Sequence, residues 1–306
     1  MNANRSAVTG HLLAFITILN WGTTFISTKL LLTGLTPLEI LFFRFILGYA
    51  VLCLLYPRRI RTGSFREEGL FIAAGLCGVT LYFLIENIAL LYTSASNVGV
   101  IVSIAPFLTA VIAHFALPDE RLTPAFITGF LIALSGIGCI LLNGSLRLQL
   151  NPLGDLLALL APVVWALYSV LMRKISALQY NTIGVTRRVF FYGLLGMLPA
   201  LLLFDFRFGL DRFRDPANLA NLLFLGLGAS ALCFVTWNRA VGMLGAVRTS
   251  VYIYLVPVIT VAAAVLFLQE QLTWAIILGT ALTLTGSALS EHKPKRSPGK
   301  ETAVQK

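Results

Sequence analysis

Long runs of apolar residues recur along the whole chain, and polar and charged positions gather between them. The approximate bounds of these runs are 11–32, 36–56, 69–92, 95–117, 123–142, 152–173, 184–204, 218–241, 246–268 and 272–290. Each run approaches the roughly 20 residues that a helix needs to cross a bilayer. Backbone amides in lipid must be satisfied internally, and the runs lack the alternation typical of barrel strands. The pattern therefore predicts an all-α integral membrane protein with ten transmembrane helices.

Composition supports lipid as the solvent of most of the surface. The chain has 306 residues, of which 58% are hydrophobic and only 12% are charged, whereas a soluble domain carries about 25% charged residues. A net charge of +10 would suggest nucleic acid as the partner of a soluble protein. Here the basic residues lie in short segments between apolar runs, where they orient a membrane protein. We therefore expect a bilayer, and no nucleic acid, around this chain.

The distribution of basic residues predicts the orientation. With a cytoplasmic N-terminus, the inner segments hold Arg5, Arg58, Arg59, Arg61, Arg66, Arg121, Arg173, Lys174, Lys293, Lys295, Arg296, Lys300 and Lys306, and the outer loops hold Arg147, Arg207, Arg212 and Arg214. Because basic residues concentrate in cytoplasmic loops, both termini are expected inside the cell. The charged tail at 291–306 contains Pro and Gly and is expected to be cytoplasmic and disordered.

The second half of the chain repeats the first at a nearly constant offset. Matched pairs include Trp21 with Trp165, Arg44 with Arg188, Asn87 with Asn238, Pro106 with Pro257, Glu120 with Glu270, Gly129 with Gly279, and Gly136 with Gly286. The predicted repeats are 1–147 and 148–290, with five helices each. Because five is odd, the second repeat must enter the membrane from the opposite side. Two inverted repeats around a central cavity are typical of secondary transporters.

Several of these segments also resemble a known family. The runs NWGTTFISTK (20–29), PLEILFFRF (37–45), ALLYTSAS (89–96) and DERLTPAFITGFLIALSG (119–136), with the later echo EQLTWAIILG (270–279), resemble EamA-type members of the drug/metabolite transporter superfamily. The resemblance covers nearly the whole chain outside its termini. It implies a ten-helix inner-membrane carrier, often an exporter of amino acids, related metabolites or drugs. It further implies a cavity lined by helices one, three, four, six, eight and nine, and a likeness to aromatic amino acid exporters.

Charged residues at membrane depth are candidate functional groups, because their burial is costly. Glu86 is the acid that lies well inside a predicted span, beside Asn87, and Lys29 and Arg44 fall at comparable depth. A pair between Glu86 and one of these bases would offset the burial of both charges. Two interpretations stay open: a gate, substrate-amine contact or protonation switch, with proton coupling as a consequence, and a static pair that locks the bundle.

Aromatic and amide side chains predict the character of the cavity. The mid-span aromatic residues on the helices expected to face the centre are Trp21, Tyr82, Trp165, Tyr168, Trp237, Tyr252 and Tyr254. Together with Asn87 and Asn238 they would form an apolar cavity with a few polar groups, as is usual for small-molecule sites. Pro106 and Pro257 interrupt equivalent helices and would serve either as hinges or as rigid kinks.

The sequence lacks the motifs of several other functions. It contains no P-loop, no HExxH and no GxSxG motif, and its four cysteines form no C-x-x-C pair, so no enzyme, cofactor or metal site is expected. The function that we expect is secondary transport of small organic solutes, most specifically export of neutral and aromatic amino acids by alternating access. A drug, nucleoside or metabolite exporter of the same fold, a membrane-embedded lipid-modifying enzyme and a channel are the alternatives.

Overall fold

The fold consists of ten helical segments in the order that the apolar runs predict. The computed structural model describes residues 3–92, 98, 101–142, 152–203, 206–259, 262 and 274–291. The segments are α1 (Ala3–Leu31), α2 (Pro37–Leu55), α3 (65–92), α4 (Ala105–Ala116), α5 (Pro124–Leu142), α6 (Pro152–Ser176), α7 (Thr182–Leu203), α8 (Pro216–Leu244), α9 (Ala246–Ile259) and α10 (Trp274–Glu291). Strands are absent from these residues. Helices α2, α3, α6, α7 and α8 are long and apolar enough to cross a membrane, and shorter apolar helices lie in the other segments after α1.

Polar caps satisfy the first amides of several helices, and α3 and α8 begin a few residues before the apolar run that predicts them. Thr36 and Glu39 form a reciprocal capping box at the start of α2. Ser64 Oγ accepts a hydrogen bond from the amide of Glu67 at the start of α3 (3.2 Å). Asp215 accepts one from the amide of Ala217 at the start of α8 (3.0 Å). The apolar run marks the hydrocarbon layer, and the helix extends beyond it into the interface.

Two helices contain a π-helical stretch at equivalent places in the two halves. In α3, Leu76–Leu81 is π-helical between the α-helical stretches Phe65–Gly75 and Tyr82–Tyr92. In α8, Phe224–Leu232 is π-helical before Cys233–Leu244. The offset that pairs Asn87 with Asn238 maps the first stretch onto the end of the second. These wider turns therefore belong to the repeated unit.

The halves interlock through contacts that the repeat exchanges. Helix α1 of the first half packs against α8 of the second, and its equivalent α6 packs against α3. Helix α2 likewise contacts the π-helical stretch of α8, and α7 contacts that of α3. Reciprocal contacts of this kind occur when two halves are related by a pseudo-twofold axis. They fit the inverted-repeat membrane fold that the odd helix number predicts.

Glycines join α5 to its equivalent, α10. A Cβ on Gly129 would lie 2.5 Å from the carbonyl oxygen of Gly286, and one on Gly136 would lie 2.5 Å from that of Gly279. Because Gly129 is equivalent to Gly279 and Gly136 to Gly286, the repeat maps each contact onto the other. The small residues thus allow close backbone approach within one chain, and the two helices run antiparallel across the axis.

Glu120 precedes α5 in the chain but serves a helix of the other half. Its two carboxylate oxygens accept hydrogen bonds from the amides of Ala246 (2.8 Å) and Val247 (2.6 Å). The carboxylate therefore caps α9 in the other half of the molecule, where it also meets the favourable end of the helix dipole. Gly245, at φ 95°, leaves room for it, because a Cβ there would lie 2.8 Å from Glu120 Oε1. The start of α5 uses Thr123 instead, whose hydroxyl accepts from the amide of Phe126 (3.1 Å).

Some predictions fall on residues that the structure does not describe. The short links at 93–96 and 269–271, the repeat boundary at 147–148, and the tail after residue 291 lie outside the described ranges, as does the side chain of Lys29. The division into 1–147, 148–290 and 291–306 stays a prediction.

Candidate functional site

A cavity of about 70 Å³ lies where α1, α2, α3, α6 and α9 converge, beside residues 102 and 103. Its lining residues are Ile18, Trp21, Thr24, Thr28, Arg44, Tyr82, Phe83, Glu86, Asn87, Val102, Ser103, Trp165, Ile253 and Val256. This volume holds a few water molecules. A larger solute requires the surrounding helices to move apart.

The floor and one wall of this central cavity are aromatic. Trp21 and Trp165 meet edge to face, with ring centroids 5.3 Å apart, and Tyr82 packs against Trp165 at 4.9 Å. The indole of Trp21 is oriented by a hydrogen bond from Nε1 to the carbonyl oxygen of Ala229 (2.9 Å). The indole N–H of Trp165 is buried and has no acceptor among the described residues. A buried donor left without an acceptor costs free energy, so this group would gain from a polar solute.

Two opposite charges share the cavity. Glu86 is 7% exposed and Arg44 is 3% exposed, and each offsets part of the burial cost of the other. The hydroxyl of Tyr82 donates to Glu86 Oε1 (2.8 Å). Arg44 Nε donates to Ser230 Oγ (2.9 Å), while its guanidinium lies 4.6 Å from the centre of the Phe83 ring. The cavity therefore presents an anion and a cation between aromatic surfaces.

The two repeat-related asparagines have different surroundings. Asn87 lines the central cavity, and its Nδ2 donates to the carbonyl oxygen of Pro37 (3.3 Å). Asn238 is held by two other side chains: its Oδ1 accepts from the Tyr168 hydroxyl (2.7 Å), and its Nδ2 donates to Thr186 Oγ1 (3.0 Å). Asn238 lines a second cavity, of about 340 Å³, together with Ser6 and Arg239.

Aromatic residues separate the two cavities. On α1 the central cavity begins at Ile18 and the second cavity at Ser6, which is a distance of about 18 Å along the helix axis. Between them Trp165 packs against Tyr168 with ring centroids 5.0 Å apart. Trp237, which is fully buried, packs against Trp21 at 5.1 Å. Trp237, Tyr168 and Asn238 thus lie below the central cavity rather than in its wall.

Tyr252 and Tyr254 do not reach the central cavity, although Ile253 between them does. The hydroxyl of Tyr252 lies 2.8 Å from His11 Nδ1. Tyr254 is buried near Phe130 of α5, with ring centroids 6.4 Å apart. Both tyrosines lie in the 3₁₀ stretch Val251–Tyr254, whose three residues per turn alter the direction of side chains relative to an α-helix.

The paired prolines begin helical stretches instead of kinking continuous helices. Pro106 lies in the first turn of α4, directly after a turn at 103–104. Pro257 lies in the α-helical residues 255–259 that follow the 3₁₀ stretch of α9. Proline suits a first helical turn because the missing N–H has no intrahelical acceptor there. Each break lies beside residues of the central cavity, Val102 and Ser103 just before α4 and Ile253 in α9.

Sequence reasoning missed the polar residues of α1 that line the cavity. Trp21, Thr24 and Thr28 lie at spacings of three and four residues, so they share one helix face. That spacing was available in the sequence as a signal. Metal sites are not indicated, because no group of three or more His, Cys, Asp or Glu side chains suited to an ion occurs in the described part of the chain.

Comparisons with known proteins identify relatives across nearly the whole chain. Residues 8–142 and 152–291 match the EamA-like transporter family. An uncharacterized transporter of Archaeoglobus fulgidus is 28% identical over 287 residues, which cover 92% of this chain and 97% of the relative. The uncharacterized transporter YvbV of Bacillus subtilis is 27% identical over 288 residues, covering 94% and 92%. A probable terminal-alkyne amino-acid exporter of Streptantibioticus cattleyicolor is 26% identical over 279 residues, covering 91% and 92%.

The fold also occurs in a solved crystal structure. That chain superimposes with a TM-score of 0.73 at 24% sequence identity, and the match covers 92% of this chain and 96% of the other. The family and the relatives are named as transporters, so the protein is a multi-pass membrane transporter of small molecules and not an enzyme. Both halves match the same family separately, and the chain belongs to the EamA-like transporter family.

Proposed function

We propose that this transporter exports neutral amino acids with apolar or aromatic side chains, by alternating access. The observation that carries the proposal is the charge arrangement of the central cavity. Arg44 and Glu86 line it together with Trp21, Tyr82 and Trp165. A zwitterion offers a carboxylate to the guanidinium and an ammonium to the carboxylate. The aromatic rings would contact the side chain of the substrate without demanding charge.

Two further groups support an amino acid as the substrate. Asn87 offers two donors and one acceptor to the part that all amino acids share. The buried indole N–H of Trp165 lacks an acceptor among the described residues, and a substrate carboxylate or hydroxyl would supply one. One relative is named a probable amino-acid exporter, which favours the same substrate class for this chain.

Alternating access is supported by the two cavities at opposite ends of α1. The barrier between them includes the hydrogen bonds from Tyr168 to Asn238 and from Asn238 to Thr186. Because the halves are related by a pseudo-twofold axis, rocking of one half against the other would open one cavity as it closes the other. The breaks before Pro106 and Pro257 are the hinges that we propose for this motion. We also propose that Lys29, at the outer end of α1, and Arg44 form a gate of the central cavity.

The membrane and orientation are also part of the proposal. We place the protein in the inner (plasma) membrane with both termini in the cytoplasm, as the excess of basic residues in the inner segments indicates. In this orientation the central cavity, near the end of α1 and the start of α2, lies on the outer side. The second cavity, near Ser6, opens to the cytoplasm.

Counterflow in vesicles tests the substrate and the carrier mechanism together. Vesicles that contain only the purified protein are loaded with unlabelled phenylalanine, and uptake of labelled phenylalanine, leucine, a nucleoside and a cationic drug is measured. We expect saturable counterflow for the two amino acids, and Asn87→Ala should weaken both alike. Asn221→Ala is the matched control, because this side chain bonds only to its own helix, at Ala217 (2.8 Å). Flux of the nucleoside or drug alone would reject amino acids, and flux without counterflow would indicate a channel.

A pair of tyrosine variants tests the inner barrier. Tyr168→Phe removes the hydrogen bond to Asn238, so a cysteine placed at Ser176 in the second cavity should react faster with a thiol reagent from the cytoplasmic side. Tyr254→Phe is the control, because this buried hydroxyl has no hydrogen-bond partner in the described residues. Equal labelling in both variants would argue against the barrier.

A further inference from the structure

A third cavity, remote from the central one, lies between α2 and α7. Its volume is about 400 Å³, and its lining residues are Tyr49, Arg59, Ile60, Arg187, Phe191 and Tyr192, with Arg188 beside them. It is located where α2 ends and α7 begins, at the end of the molecule that holds Arg58, Arg61 and Arg66. This end is the proposed cytoplasmic side. The cavity takes no part in the transport path described above.

The positive charge of this cavity exceeds what nearby carboxylates neutralise. Arg188 forms an ion pair with Glu68, which also accepts a hydrogen bond from the Tyr192 hydroxyl. Arg187 donates instead to the carbonyl oxygens of Tyr56 and Arg58, the latter at 2.8 Å. Within the described ranges, no ion pair joins Arg59 or Arg187 to a carboxylate. The backbone contacts fix the position of the Arg187 guanidinium but leave its charge available to an anion.

The other walls of the cavity are suited to a lipid. Tyr49 lies six residues before the end of α2, which places its ring about 9 Å below that end along the helix axis. Phe191 is 42% exposed, and Leu54 and Leu55 at the end of α2 are 81% and 65% exposed. Exposed apolar side chains at a helix end in a membrane protein face lipid. The cavity therefore has a basic rim at headgroup depth and an apolar lower part that opens toward acyl chains.

The repeat does not dictate this cavity, because the other half has no basic residue at the position of Arg187. The position equivalent to Arg187 in the first half is Phe43, which packs against Phe213 with ring centroids 5.0 Å apart. The position equivalent to Tyr192 is Gly48, where a Cβ would lie 3.1 Å from the carbonyl oxygen of Gly226. The matching position in the first half therefore does not supply the Arg187 charge. Anionic lipids are concentrated in the cytoplasmic leaflet of many membranes, and basic pockets between helices bind their headgroups.

We infer that the cavity between α2 and α7 binds the phosphate of one anionic phospholipid, held by Arg59 and Arg187. Tyr49 would contact the glycerol region and Phe191 the upper acyl chain, while the Tyr192 hydroxyl stays bonded to Glu68. Arg188 is engaged with Glu68 and positions the wall of the cavity rather than the phosphate.

Native mass spectrometry of the full chain tests this inference without any transport measurement. Delipidated protein in detergent is titrated with phosphatidylglycerol and, separately, with phosphatidylcholine. We expect one phosphatidylglycerol per chain to bind before any other lipid. Arg59→Gln should weaken this binding about fivefold, the effect of one basic residue near an anionic headgroup, and Arg59→Gln/Arg187→Gln should weaken it further. Arg66→Gln is the control, because it removes the same charge at the same end but does not line the cavity.

Each alternative gives a different result. Equal weakening in Arg59→Gln and Arg66→Gln would show a diffuse surface effect and overturn the inference. Displacement of phosphatidylglycerol by millimolar glycerol phosphate would mean that a soluble phosphate ester is the ligand, which also overturns it. Arg59 is exposed, so Arg59→Gln should unfold at the same temperature as the unsubstituted protein in phosphatidylcholine nanodiscs. The stabilisation that phosphatidylglycerol adds should be smaller in the variant, and equal stabilisation in both proteins would count against the site.

Discussion

Trp21 and Trp165 occupy equivalent positions in the two halves and contact each other edge to face, with their ring planes at 81°. A contact between two equivalent residues can occur only where the pseudo-twofold axis passes. The axis therefore crosses the aromatic floor of the central cavity. Each half therefore contributes one tryptophan to the point about which the two halves would rock.

Removal of one of these rings should change which side chains are transported. Trp165→Ala should lower transport of phenylalanine and leucine relative to alanine by about 1 to 3 kcal/mol in selectivity, because the large side chains lose apolar contact. The measurement is initial counterflow rate for each amino acid in vesicles. Trp274→Ala is the control, because Trp274 is 85% exposed and lies outside the cavity. A uniform loss for all three substrates would contradict a role for Trp165 in the side-chain pocket.

The two charges in the cavity should depend on each other for stability. Glu86→Gln and Arg44→Gln should each lower the free energy of unfolding by roughly 1 to 3 kcal/mol, since each leaves the other buried charge less compensated. The double variant should lose less than the sum of the two. Thermal unfolding in detergent measures all three variants. Additive losses would show that the two charges do not interact.

Glu86 is also the residue expected to carry a proton if transport is proton-coupled. Glu86→Gln should abolish acceleration of transport by a pH gradient while leaving exchange of one amino acid for another. Asp211→Asn is the control, because Asp211 is an exposed acid in the segment between α7 and α8. Normal pH coupling in Glu86→Gln would exclude this residue as the proton carrier and leave a static ion pair as its role.

The topology prediction can be checked with single cysteines in a variant that lacks the four native ones. A cysteine at Arg61 should resist an impermeant thiol reagent in whole cells, because the 58–66 loop is expected inside the cell. A cysteine at Asp211 should react. The reverse pattern would invert the orientation, and reaction at both sites would mean that the number of spans between them is wrong.

The glycine contact between α5 and α10 gives a test of the fold itself. Gly136→Ala would place a Cβ 2.5 Å from the carbonyl oxygen of Gly279, so the two helices must separate. We expect a loss of several kcal/mol, at the upper end of point-mutant effects, and a lower unfolding temperature. Gly138→Ala is the matched control in the same helix. A Cβ there meets nothing within 4 Å, so stability should stay equal or rise by about 1 kcal/mol from helix propensity.

The sequence predicted the order and number of the helices because long apolar runs have one solution in lipid. It also indicated Trp21, Tyr82, Trp165, Glu86 and Asn87 as neighbours of one cavity, and these residues do converge. Here burial cost and repeat equivalence pointed to the same positions. The helices that carry these residues are α-helical at those positions, so side-chain direction followed from the usual period.

Other positions depended on backbone geometry that the sequence does not reveal. Tyr252 and Tyr254 were expected in the cavity because they lie mid-span on a helix expected to face the centre, but they lie in a 3₁₀ stretch and do not line it. Asn238 was expected to act like Asn87, yet Tyr168 and Thr186 hold it in place. Equivalence by repeat gives the same backbone position but not the same neighbours, because the side chains around two equivalent positions differ and some of them belong to the other half. Glu120 illustrates this, since its partners lie at the start of α9.

The π-helical stretch Leu76–Leu81 determines the direction in which the later side chains of α3 point. A π-helical turn accommodates one residue more than an α-helical turn would, so deletion of one residue within it could leave a regular α-helix with Glu86 still directed at the cavity. Deletion of one residue between Tyr82 and Glu86, in the regular α-helix, would not be absorbed in this way. The rest of α3 would then turn by about 100° around its own axis. Glu86 and Asn87 would leave the cavity and point toward other helices or lipid, with no residue substituted. The binding chemistry of this chain therefore depends on a length as well as on side chains, and a survey of substitutions alone would miss that dependence.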